Sequence, residues 1–340
     1  MTGYASMSEA VAQIQVLPER RNAAWEFLRR LVKEKPLGTV GLLIFVLLLL
    51  VGTFAHLIAP YGLNEVVGDA LQPPSSRFLL GTDNLGRDLL SRIIYGARIS
   101  MTVGLLGATF SLFISIVIGL TCGFFGGTLD AILQRFVDGW MCFPSLVLLI
   151  SILSLTGPGL WQVIAVLSLS YGIAGSRVVR SAVMAVKENL YVDAARAVGS
   201  STSSILLRHI IPNIMAPLIV LFTVRMPFII LDEAALSFLG FGIPPPHPSW
   251  GGMLSGAGRS YMFLAPWLAL WPGLALTVVV WGINMFGDAL RDLLDPRLRG
   301  VLGRYTGYGR EVKVNVFKRL FSELWKKAKG RYSPDVRQDG

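Results

Sequence analysis

Residues 191–212 read YVDAARAVGSSTSSILLRHIIP and lie between two apolar runs, 162–184 and 213–236. Each run can cross a bilayer, which takes about 20 mostly apolar residues. A connection between helices needs only a few residues, so a polar stretch of this length, rich in small residues, is more than a link. Leu190 to Val198 reads as a short helix in which Ala194, Ala195 and Ala197 crowd together after Asp193. Gly199 permits a backbone turn that a β-carbon penalises. Ser200, Ser201, Thr202 and Ser203 offer N-caps for a second helix over 203–211. Pro212 is tolerated in the first turn of the next span and stops the amide ladder upstream. The alanines leave a shallow surface on which another protein can sit. The competing reading is an amphipathic helix resting on lipid headgroups. Ile205, Leu206 and Ile210 give a stripe for it, whereas the Asp-Ala-Ala end has none.

Outward from this stretch there are six apolar runs in all: 37–58, 100–124, 136–156, 162–184, 213–236 and 266–290. The 340 residues are 53% hydrophobic and 15% charged, with mean hydropathy +0.59, where a soluble domain carries about 25% charged residues. Backbone polar groups find no water in lipid and must bond within a helix. The expected fold is therefore an all-α polytopic membrane protein with six transmembrane helices over 37–290. A basic arm (1–36) precedes it and a basic tail (291–340) follows. The inner loop occupies 188–212, and the outer loops 59–99 and 237–265.

The net charge of +10 is distributed unevenly. Lys and Arg on the side that holds both termini and residues 191–212 outnumber those on the other side by five to one. That bias places the termini and the elbow in the cytoplasm. A nucleic-acid binder would instead gather its charge on one soluble face. The polar arm is too long for the n-region of a cleaved signal, so the first run reads as a retained anchor. Cys122 and Cys142 fit no metal spacing and need not pair.

Within the arm, Trp25, Leu28, Leu31 and Val32 recur at helical spacing among Arg21, Arg29, Arg30 and Lys33, as in a helix on the inner leaflet or a solvated tail. The outer loop contains GTDNLGRDLLSRIIYGARIS (81–100). Gly81, Gly86, Arg87 and Asp88 look superficially like a phosphate loop, but the Lys and Ser/Thr of such a loop are missing. Asp83 and Asp88 with Arg87, Arg92 and Arg98 read better as an ion-paired cap, with a short amphipathic helix leading into the second span. Gly104, Gly107, Ala108, Ser111, Ser115 and Gly119 mark a close helix contact in that span. The fifth span holds Arg225, Asp232 and Glu233. Ionisable residues in lipid face the bundle or water, so Arg225 and Asp232 line a polar route or pair with another helix, for example at Asp288. In AALSFLGFGIPPPHPSWGGML (234–254) the prolines forbid a regular helix, so the segment must re-enter and be buried in protein. His247 has no second ligand beside it. Trp250, Tyr261, Trp267 and Trp271 suit an outer aromatic belt. In the tail, Phe317, Leu320, Phe321, Leu324 and Trp325 repeat like a second surface helix, a pattern shared with calmodulin targets.

Together these residues closely resemble the C-type permease subunits of dipeptide/oligopeptide/nickel ATP-binding-cassette (ABC) importers. Three stretches, extending over about residues 30–300, carry the likeness. One is LGTDNLGRDLLSRIIYGARIS (80–100). The second is the inner Glu-Ala-Ala…Gly…Leu-Pro pattern, written here Asp193-Ala194-Ala195, Gly199 and Ile211-Pro212. The third is EAALSFLGFGIPPPHPSWGGML from Glu233, with the closing FGDALRDLLDPRLRG. Asp for Glu keeps the carboxylate, and Ile211 replaces Leu. The inner pattern is shared by importers of many solutes, whereas the other two are narrow.

The resemblance implies a type I importer permease that forms one pore with a homologous second permease. Two cytoplasmic ATPases would bind the inner loops, and an extracytoplasmic binding protein would deliver short peptides. Nickel chelates and oligosaccharides are the alternative solutes on this scaffold. ATPase coupling would then fall to Asp193, Ala194, Ala195, Arg196, Gly199 and Pro212. The outer signatures would centre on Gly81, Asp83, Gly86, Arg87, Asp88, Glu233, Gly240, Pro245, Trp250 and Gly251, with Arg225 as a pathway candidate. ATP and Mg²⁺ would sit on the partner subunits, with no cofactor on this chain. The chain carries no Walker lysine motif, metal triad or nucleophile–base pair, so it is expected not to be an enzyme. An ion-coupled secondary transporter would need midspan carboxylates or matched broken helices, and the sequence offers neither.

Overall fold

The computed structural model describes residues 23–294. Residues 1–22 of the arm, the closing motif beyond Leu294 and the expected tail helix over Phe317–Trp325 lie outside the described residues. Regular structure among the described residues is helical, apart from two isolated antiparallel bridges, Val66 with Arg87 and Thr82 with Asp88.

The first helix, α1 (Ala23–Glu34), forms where the spacing predicts it. Leu31 is buried against α2 (Pro36–Thr53), while Trp25, Leu28 and Val32 stay exposed. Pro36 opens α2, where a missing N–H costs nothing. α3 (Leu89–Phe125) runs unbroken for 37 residues, about 55 Å. The short amphipathic helix expected to lead into the second span is continuous with it, residues 89–99 forming the first three turns of α3. The outer loop therefore ends at Asp88, whose carboxylate accepts the Ser91 N–H and caps the helix.

The third expected span, 136–156, is not one helix. α4 (Gly127–Met141) and α5 (Ser145–Thr156) meet at a bend of 90°. Pro144 supplies no N–H, and it pushes Phe143 out of the helical region. Among the described residues five helices are thus long and apolar enough to cross alone, and counting the bent pair as one span brings the total to six. α6 (Leu160–Lys187) leads into α7 (Leu190–Ala197). α8 (Thr202–Phe238) follows and α9 (Trp267–Leu294) closes the bundle.

Small residues set the packing. Gly107, Ser115, Gly119 and Gly123 of α3 meet Ser168, Gly172, Val179 and Val183 of α6. A β-carbon at Gly119 would stand 2.6 Å from that of Val179, and one at Gly172 equally close to that of Ile114. Ser115 Oγ donates to the Gly172 carbonyl at 2.8 Å. Lipid supplies no hydrophobic drive between helices, so this contact and its buried hydrogen bonds hold the seam. Gly38 and Gly41 of α2 likewise meet Ala289 and Gly282 of α9, and Phe45 stacks on Phe286.

Candidate functional site

The elbow is built as the spacing predicts and then departs from it. α7 ends in a Schellman turn: Gly199 N–H donates to the Arg196 carbonyl and Ser200 N–H to that of Ala195. Gly199 takes φ +82°, where a β-carbon is penalised. Ser201 caps the next helix, accepting the Ser204 N–H. That helix does not stop at Pro212. A π turn (Leu206–Ile210) and a 3-10 turn (Ile211–Ile214) absorb the proline, and the chain runs on into the span.

Val192 is fully buried with Val179, Val183, Ile205, Ile210 and Ile214, and Ala195 packs on the same cluster. Leu190 and Val198 are each 86% exposed, and Asp193, Ala194 and Ala197 face out with them. Arg196 pairs with Asp193 at 3.3 Å and lies over the Phe124 ring of α3. Below the elbow, Arg180 grips Asp130 of α4 through two hydrogen bonds of 2.7 and 2.5 Å, and Arg177 reaches Asp138.

At the end of α3 remote from the elbow, Asp83 organises the first signature. Its Oδ1 accepts the N–H groups of Leu85 and Arg87, and its Oδ2 accepts Arg87 Nε at 2.7 Å. Arg92 Nε stands 3.4 Å from the same oxygen. Arg98, expected in this cap, is instead exposed on α3, and Asp88 serves as the helix cap. Gly81 and Gly86 take φ +85° and +74°. A β-carbon at Gly86 would lie 2.1 Å from the Gly68 carbonyl oxygen.

The second signature folds back into the protein. Gly240 reverses the chain at φ +87°, and Pro245 lies in a turn of the loop that follows. Trp250 is 2% exposed. It therefore belongs to no lipid-facing belt, since its indole rests on Gly96 and donates to the Ile93 carbonyl at 3.1 Å. Gly251 presses against the Ala234 backbone, which a β-carbon would strike. Trp267 Nε1 donates to the Thr82 carbonyl, another protein contact. Glu233 is wholly buried and accepts Ser237 Oγ at 2.7 Å.

Arg225 does not pair with Asp288, which is exposed on α9. It donates to the Tyr171 carbonyl of α6 and sits over the Tyr171 ring, whose hydroxyl donates to Asp232 at 2.8 Å. Tyr171 thus joins the two charges that one helix face keeps apart.

The family model described as binding-protein-dependent transport system inner membrane component matches residues 115–300. A second model, the N-terminal TM domain of oligopeptide transport permease C, matches residues 24–74. The chain belongs to this permease family. Among curated relatives, a putative peptide transport system permease protein of Brucella suis is 42% identical over 80% of this chain and 91% of its own length. A dipeptide transport system permease protein of Alkalihalophilus pseudofirmus is 39% identical over 81% of this chain and 90% of its own length. A glutathione transport system permease protein of Pectobacterium atrosepticum is 37% identical over 85% and 97%. The permease is a multi-pass inner-membrane protein with the type I importer fold, and members of such a family work with ATPase and binding-protein subunits. Of the residues that position its outer face, sequence reasoning missed Gly96. The four-residue spacing of small residues recognised from Gly104 onward extends back through Ser100 to it.

Proposed function

We propose that this permease imports short peptides into the cytoplasm, paired with a homologous second permease. Two ATPase subunits hold ATP and Mg²⁺, and an external binding protein delivers the solute. The chain itself catalyses nothing and binds no cofactor. Both termini and the elbow face the cytoplasm, where the five-to-one excess of Lys and Arg lies.

One observation carries the reading. α7 is a short helix seated on a buried apolar cluster, yet it turns Leu190, Ala194, Ala197 and Val198 outward. Exposed apolar side chains around a small-residue floor form a surface for a partner protein. In this reading Asp193, Ala194, Ala195, Arg196 and Gly199 meet a groove of one ATPase, and Pro212 sets where the elbow joins its span. Closing and opening of the motor bias two arrangements of the bundle. The names of the relatives favour peptides over nickel chelates or oligosaccharides as the solute.

Gly199→Leu tests the proposal. A bulky side chain at φ +82° costs about 1–2 kcal/mol and tilts the docking face. ATP-driven peptide uptake by the complete transporter should be lost while the chain remains in the membrane at its normal level. Unchanged uptake would remove the elbow from the mechanism.

A further inference from the structure

Between the two outer signatures lies a cavity of about 420 Å³, walled by Asp83, Arg87, Arg92, Pro245, His247 and Gly256 among others. That volume is in the range of small-molecule sites, roughly 300–1,000 Å³. Its charge is unbalanced, since one carboxylate among the lining residues faces two guanidinium groups. An ionised carboxylate offers about four lone-pair positions. Asp83 spends its own on the Leu85 N–H, the Arg87 N–H and the Arg87 guanidinium. Arg92 reaches the same carboxylate only at 3.4 Å and the Leu63 carbonyl only at 3.5 Å. Its side chain is 11% exposed. A half-satisfied guanidinium in such a wall draws an anion, and a planar carboxylate fits its fork of donors.

We propose that this cavity receives the free carboxylate of an incoming peptide, with Arg92 as its main partner and Asp83, itself held by Arg87, keeping the arginine in the wall. The proposal rests on the reading of the chain as a peptide importer and adds an outer binding site to it. Pro244, Pro245 and Pro248 also line the cavity; they carry no N–H, and their ring carbons give the peptide side chain an apolar surface.

The test uses the complete transporter in lipid nanodiscs without the delivering protein. Radiolabelled Ala-Ala and its C-terminal amide are the probes. Ala-Ala should bind at least about tenfold more tightly than the amide, the scale of a charge-assisted contact. Arg92→Gln should abolish that preference, and Arg92→Lys should restore part of it. Gly256→Leu gives an independent arm. Gly256 lines the cavity and a β-carbon there meets nothing within 4 Å, so a larger side chain is admitted without displacing its neighbours, takes up room at the cavity wall, and Ala-Ala binding should fall. Equal binding of the two probes, no binding of either, or an Arg92→Gln variant that still prefers the free carboxylate would overturn the site. Peptide uptake by intact cells carrying the whole system, measured in parallel, separates the readings. Uptake without the binding preference rejects this site alone, whereas absence of peptide uptake rejects the proposed solute.

Discussion

A β-carbon at Gly96 would lie 2.8 Å from the Trp250 indole. That glycine is therefore fixed as long as the indole keeps its bond to Ile93. Trp250→Ala should destabilise the purified transporter by about 3–5 kcal/mol, as for other buried aromatic truncations, and Trp250→Phe by less. Thermal unfolding in nanodiscs reads both. The prolines and glycines around Trp250 reveal that the segment must fold back, because no regular helix can hold them. Where its tryptophan goes is not legible, because an indole suits a lipid interface and a protein pocket equally well. Arg225 teaches the same lesson. A charge in a span demands a partner, but Tyr171 becomes that partner only when α6 and α8 are set in register. Tyr171→Phe removes the hydroxyl that Asp232 accepts and leaves the ring beneath Arg225. Transport should fall several-fold while the chain stays assembled, and initial uptake rates set against membrane levels measure it.

At the scale of elements, the seam between α3 and α6 depends on glycines that admit no side chain. Gly119→Leu should prevent close approach, because a β-carbon alone already meets Val179 and the Ser176 carbonyl. The expected result is faster limited proteolysis and a lower level of the chain in the membrane. This seam is legible in advance, since small residues at four-residue spacing have few other uses in lipid. The break between α4 and α5 is harder to read. Pro144 is visible in the sequence, but the helices on its two sides together are apolar enough to read as one span. The ion pairs that fasten α4 to α6 are also hidden, because Asp130 and Arg180 are fifty residues apart. That pair is partly exposed, so a double-mutant cycle on Asp130→Ala and Arg180→Ala should return a coupling of only about 1 kcal/mol, read from thermal unfolding.

For the whole molecule, charge asymmetry, number of spans and elbow are all written in composition. The surfaces proposed to meet other subunits are written only where helices have already packed. Orientation can be tested directly. In a Cys142→Ser background, a cysteine placed at Asn84 should react with a membrane-impermeant maleimide added to intact cells. One placed at Leu190 should react only after the inner membrane is opened. The reverse pattern would invert the topology argued from Lys and Arg.

α3 carries Arg92 beside the outer cavity at one end and Phe124, beneath Arg196 of the elbow, at the other. No break interrupts it between them. Such a rod would work as a lever: pivoting it by about 5° would swing one tip some 5 Å relative to the other over a length of about 55 Å. A stroke of that size would be enough to part Arg92 from Asp83, which stand 3.4 Å apart. Cargo arriving outside and a motor gripping inside would then pull on the two ends of one stiff rod, each sensing the other by reciprocity.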